Sequence, residues 1–127
     1  MSVLDPAKTR ALLVAAARDG QTVSYGAIPK ASDAGWSEAR PALDGHIWAL
    51  DADCIARGEP MLGVLVVRRD GQISEDLRAS LAGHAAQAGR FSGEGAGAED
   101  QFILQERGRA FAFWRQNLQE AGHDLHH

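Results

Sequence analysis

Val66-Val67-Arg68-Arg69-Asp70-Gly71-Gln72-Ile73 reads as a β-hairpin, a β-branched run followed by an Asp-Gly turn and a short return. The residues leading into it, Leu62-Gly63-Val64-Leu65-Val66-Val67, carry the clearest strand signal in the chain. Before that strand, a long helix is expected from about Glu38 to Arg57. Leu43, Ile47, Leu50 and Cys54 recur there at intervals of 4, 3 and 4 residues, which lays them in one stripe facing a core. Ser37 is its expected N-cap, Pro41 fits only in a first turn and so moves the start toward Arg40, and Gly58-Glu59-Pro60 closes it. Further upstream, Thr22-Val23-Ser24-Tyr25-Gly26 is β-prone and feeds a short helix near Ala27 to Ala31. The first helix opens at Asp5-Pro6, a cap followed by a first-turn proline, carries Leu12, Leu13 and Ala16 on one face, and closes at Gly20.

Beyond the hairpin, Ser74 with Glu75 and Asp76 opens a helix over about residues 75–89, the acids suiting the positive end of the helix dipole. Phe91 to Ala98 contains Gly93, Gly95 and Gly97 and reads as a flexible loop. A phosphate-cradling role for it is disfavoured, because no strand precedes it, no Lys-Ser/Thr follows and Glu94 repels phosphate. A last helix is expected over about 99–120, with Ile103, Arg107, Ala110, Phe111, Trp114 and Leu118 as its inward stripe. The order helix, short strand, helix, helix, hairpin, helices predicts a mainly helical α+β fold. It is the order of a winged helix-turn-helix-like domain with a β-hairpin wing, Arg68 to Gln72 at its tip, and additional C-terminal helices. The winged-helix-like core would span about residues 5–90 of a single domain covering 1–127.

The chain has 127 residues, of which 45% are hydrophobic, 24% charged and 6% aromatic, the make-up of an ordinary globular domain. At this size roughly two-thirds of the unfolded surface is buried on folding, enough for a core. No apolar run reaches the roughly 18–20 residues of a membrane span, and no basic-then-apolar leader pattern opens the sequence. One cysteine rules out an internal disulfide framework and a thiolate zinc cluster. A soluble, cytoplasmic protein is the expectation. Thirteen basic against 17 acidic residues give a net charge of −4, which supplies no general argument for nucleic acid.

Two resemblances enter at these residues. Thr22-Val23-Ser24-Tyr25-Gly26-Ala27-Ile28 resembles the opening of the DNA-binding domain of O6-alkylguanine-DNA alkyltransferases and alkyltransferase-like proteins, and Val66 to Ser74 resembles that family's wing. The likeness covers about residues 10–90. It implies a winged helix on double-stranded DNA, with Tyr25 as a phosphate-contacting tyrosine and Arg40 as a partial match to the family's intercalating arginine. It does not imply alkyl transfer, because Leu62-Gly63-Val64-Leu65 stands where that family has its Pro-Cys-His-Arg nucleophile strand. The chain is also similar, over most of its length, to a family of short uncharacterised bacterial proteins. Tyr25-Gly26, Arg40, Leu43, Cys54, Gly58-Glu59-Pro60, Leu62 to Arg68 and Phe111 to Trp114 carry that similarity. Some members bear the name ribose-phosphate pyrophosphokinase, an activity this chain does not suit, because it is short and has no acidic phosphoribosyl-binding loop.

The residues themselves leave two functional classes open. In the first, a non-enzymatic nucleic-acid-binding or regulatory module, Tyr25, Arg40, Arg68 and Arg69 contact phosphates. Against it, the long middle helix and its end carry Arg40 and Arg57 but also Glu38, Asp44, Asp51, Asp53 and Glu59. In the second, a protein-interaction module or homodimer, Asp51 and Asp53 face a basic partner, and Phe113 and Trp114 offer an apolar surface to which Trp36 and Trp48 add. An enzyme is least expected, because no nucleophile–base pair survives inspection. Cys54 is in register with the core stripe, His46 and Asp44 fall on different helix faces, and His123, Asp124, His126 and His127 read as a solvated tail. No metal and no cofactor are implied.

Overall fold

The computed structural model describes residues 3–95 and 97–117. Helix α1, Pro6–Arg18, starts as its sequence dictates: the Asp5 carboxylate accepts from the backbone N–H groups of Ala7 (2.9 Å) and Lys8 (3.4 Å), and Pro6 occupies the first turn. Strand β1 is Val23–Ser24, α2 is Ala27–Ala31 and α3 is Trp36–Ala56. Helix α3 starts earlier than the capping signal predicts. Its N-cap is Gly35 with no side-chain bond, so Ser37 lies inside the first turn, and Pro41 falls in the second turn rather than the first, where it leaves Ser37 O without its i→i−4 N–H partner.

The apolar run after α3 departs most from expectation. Leu62–Leu65 forms a 3-10 turn, and only Val66–Val67, strand β2, is extended. Strand β2 pairs in parallel with β1, Val23 opposite Val66 and Ser24 opposite Val67. The expected hairpin is thereby reduced to a tight turn. Arg68 N–H donates to Gln72 O (2.7 Å) and Gly71 N–H to Arg68 O (2.9 Å), Gly71 sits at φ 83°, and no return strand follows. The physical reason is burial. Met61 through Val67 is buried without interruption, so its backbone groups need partners that water cannot supply. Side chains of flanking helices provide them for Met61 N–H, Gly63 N–H and Val64 C=O, and only Val66–Val67 pairs with a strand.

Helix α4, Glu75–Gln87, is capped as predicted, with Ser74 Oγ accepting from Leu77 N–H at 3.1 Å. The connection to α5 turns back so that the Phe91 ring packs on Phe102, with ring centres 5.1 Å apart. Helix α5, Ala98–Gln116, buries Phe102, Ile103, Glu106, Ala110 and Trp114. Glu106 thus takes the inward place assigned to Arg107, which is half-buried beside it. Leu118, the expected helix end at 120 and the histidine-rich tail lie outside the described residues. The result is a mainly helical protein with a small two-stranded parallel sheet. Most of its buried apolar side chains, drawn from all five helices, both strands and the 3-10 turn, form one cluster. No helix among the described residues is long and apolar enough to cross a membrane.

Candidate nucleic-acid interface

The register of the parallel pair positions the first candidate residues. Because Ser24 lies opposite Val67, the next residues in each chain segment, Tyr25 and Arg68, emerge at the same end of the sheet. Tyr25 N–H donates to Val67 O at 3.0 Å, which extends the pairing to that end. The Tyr25 side chain is half-buried, and its hydroxyl lies 2.9 Å from Ser74 Oγ. Burial raises the phenol's pKa, helped by the negative charges of Asp44 and Asp76, while the Ser74 bond and Arg68 oppose the rise. The phenol is therefore neutral at physiological pH. Ser74 Oγ also accepts from Leu77 N–H, so the two hydroxyls share one hydrogen and keep one O–H for an outside acceptor.

Arg68 and Arg69 are both exposed on the turn. Arg68 is paired with Asp70 at 2.8 Å, and the same carboxylate accepts from Gln72 N–H at 2.9 Å. These bonds hold the Asp70 carboxyl below its ordinary pKa. Arg69 makes no ion pair among the described residues. Arg40 is exposed in the second turn of α3, one helical turn before Asp44, and likewise has no ion pair among the described residues.

The acidic count on α3 changes when burial is considered. Asp51 is only 1% exposed, and its Oδ1 accepts from Gly63 N–H at 2.8 Å. Burial pushes its pKa up to about 7, against the pull of the Gly63 bond, with Glu106 adding to the rise. Glu59, just past the helix, is paired with Arg10 at 2.9 Å and is mostly covered. What α3 shows to solvent is Arg40 and Arg57 against Glu38, Asp44 and Asp53, and Asp53 is itself paired with Arg57 at 3.1 Å. The electrostatic objection to phosphate at this helix is weaker than its sequence suggests.

Two of the residues expected at a partner surface are elsewhere. Asp51 is in the core, because it lies on the same face as Ile47 and Cys54 and supplies an acceptor to the 3-10 turn. Trp114 is 1% exposed, its ring flanked by the guanidinium groups of Arg10 (5.3 Å) and Arg18 (5.7 Å). Asp53 remains exposed, and Phe113 is half-buried, edge-on to Trp114 at 4.9 Å. Trp36 and Trp48 are 46% and 47% exposed, and Trp48 stacks on His84 with ring centres 4.3 Å apart.

Cys54 is fully buried, and its thiol pKa is pushed up to about 12 by burial and by Asp51. The half-buried His46 ring has its Nε2 at 2.7 Å from Thr9 Oγ1, and burial lowers its pKa. No group of three metal-ligating side chains comes together among the described residues.

A second polar cluster was not visible in the sequence. Glu106, 2% exposed, accepts from Met61 N–H (2.9 Å), from Arg90 (3.3 Å) and from Arg109 (2.7 Å). Arg107 Nε donates to Val64 O at 2.9 Å. Its signal was the spacing: Glu106 falls three residues after Ile103 and four before Ala110, on the inward stripe. No protein-family model matches this chain, and no curated protein or solved structure does.

Proposed function

We propose that this chain is a non-enzymatic nucleic-acid-binding module of the winged-helix kind. It would meet double-stranded DNA through the α2–α3 pair and the Arg68–Gly71 turn, with Tyr25, Arg40, Arg68 and Arg69 on phosphates. The observation that carries this reading is the β1–β2 register, which sets Tyr25 and Arg68, with Arg69 next in sequence, at one end of the sheet. The O–H that the Tyr25–Ser74 pair retains suits a phosphate oxygen, and exposed arginines suit the same partner. The alkyltransferase-like pattern at Val23 to Ile28 and at Val66 to Ser74 supports it from sequence. The alternative, a protein-interaction module, retains only Asp53 and Phe113 of its four expected residues at or near the surface.

The test is binding to a labelled mixed-sequence duplex and to single strands across a salt series starting at about 50 mM. Salt-sensitive duplex binding is expected, and the double variant Arg68→Ala, Arg69→Ala should lower the log–log salt slope by about 2. Absence of binding at the lowest salt would overturn the reading.

A further inference from the structure

Away from that end of the molecule, a cleft of about 640 Å³ opens between Gly58-Glu59-Pro60 and the last turns of α5. Its volume is in the range of small-ligand sites. Pro60, Ala112 and Phe113 give it an apolar wall, and Arg90, Arg109 and Gln116 give it a polar one. Phe113 is set in place by its edge-on contact with the buried Trp114.

The charges around this cleft are arranged with their acceptors turned inward. Both oxygens of Glu106 are occupied, one by Met61 N–H and Arg90 Nη1, the other by Arg109 Nε and Nη2. The Glu59 carboxylate is taken by Arg10, and its carbonyl accepts from Arg90 Nη1 at 2.7 Å. Arg90 engages its partners through Nη1 alone, and Arg109 through Nε and Nη2. A guanidinium has five N–H groups, so Arg90 Nε and Nη2 and Arg109 Nη1 keep donors unengaged among the described residues. Two guanidinium groups, of Arg90 and Arg109, meet the single carboxylate of Glu106, leaving one positive charge in this cluster among the described residues. Satisfying the buried Glu106 requires one counter-cation. Arg109, with its side chain half exposed at the rim, is the second.

We propose that this cleft binds a small organic anion, a carboxylate or phosphate monoester with an aromatic or apolar body, the anionic group meeting Arg90 and Arg109 and the body lying against Phe113 and Pro60. Paired guanidinium donors recognise both anions, and a ring beside a proline and a phenylalanine excludes water from the contact. None of Tyr25, Arg40, Arg68 or Arg69 lines the cleft, so the proposal stands or falls independently of DNA binding.

The experiment is calorimetric titration of the full chain with phenyl phosphate, benzoate, inorganic phosphate and benzylamine. It is run at an ionic strength of about 0.01 M, where screening is weak. Phenyl phosphate or benzoate should bind, and whichever binds more tightly identifies the anionic group. Inorganic phosphate should bind more weakly than phenyl phosphate, and benzylamine, of opposite charge, should not bind. Arg109→Gln should weaken binding about tenfold or more. Phe113→Leu should weaken the aromatic anions and leave inorganic phosphate unchanged. Should Arg109→Gln fail to fold, Arg109→Lys keeps the charge and loses the fork, and should weaken binding in the same direction. Heat-silent titrations with both aromatic anions, equal affinity for benzylamine, or an unchanged affinity in the Arg109 variant would each overturn the proposal. Arg68→Ala with Arg69→Ala should leave these affinities as they are.

Discussion

Asp51→Asn removes a single proton from the core while keeping the shape of the side chain, and its effect should appear in how stability varies with pH. The carboxyl is sealed beneath the 3-10 turn, with its pKa raised from the ordinary 3.8 to about 7. Between those values the folded chain holds a proton on Asp51 that the unfolded chain has released. Stability from this group is therefore fully present below pH 3.8 and is lost as the pH rises through 7. Each pH unit inside the window is worth about 1.4 kcal/mol, so passing from about pH 5 to about pH 8 should cost about 2–3 kcal/mol. Asparagine carries no such proton. Its carbonyl can still accept from Gly63 N–H, whatever constant cost its amide adds elsewhere. Urea unfolding of both proteins at the two pH values gives the comparison, and the other titrating groups, common to both chains, largely cancel in it. The natural chain should lose about 2–3 kcal/mol more than the variant between the two pH values. An equal pH dependence in the two proteins would refute the reasoning, and Asp51 would then be ionised in the folded state.

Gly63→Ala should be among the most damaging small substitutions. The added Cβ would overlap the Asp51 carboxylate and meet Leu81 Cδ2 at 3.0 Å inside a packed core. A loss of about 3 kcal/mol in chemical denaturation is expected, and a loss below about 1 kcal/mol would show that the turn yields. Cys54, buried and with its thiol pKa raised to about 12, should react with an aromatic disulfide reagent only as fast as the core opens. Labelling should therefore accelerate with urea below the unfolding midpoint, and complete labelling on mixing in buffer alone would contradict it.

The helices were legible where the signal is local. Asp5-Pro6 and Ser74 are capping choices that act within a few residues, and both helices begin where those residues say. The stripe of Leu43, Ile47, Leu50 and Cys54 is likewise a property of one helix, and all four side chains are buried. Leu62 to Val67 was not legible, because a continuous apolar run has no period to separate a strand from another buried conformation. What decides its shape is where its backbone groups find partners, and those are Asp51, Glu106 and Arg107, from 12 to 45 residues away. The two buried acids carry a lesson of their own. Asp51 and Glu106 each stand in register with an apolar stripe, yet on sequence alone Asp51 is expected to face a basic partner and Glu106 is not singled out at all. Of the candidate interface, the proximity of Tyr25 and Arg68 follows from a parallel pairing between segments some forty residues apart, which turn chemistry alone does not reveal.

The dependence of the central turn on α5 also bears on how the chain comes together as it is synthesised. Met61 N–H and Val64 C=O are buried, and their side-chain partners, Glu106 and Arg107, are made more than 40 residues later. Helix α1, made before the other described elements, must likewise wait for Trp114, the ring on which Arg10 and Arg18 rest. A nascent chain ending before α5 holds most of its helices but leaves Met61 N–H without its acceptor, Val64 C=O without its donor, and its apolar face uncovered. The described fold is thus completed from α5, and a ribosome pausing before that point would hold an aggregation-prone intermediate.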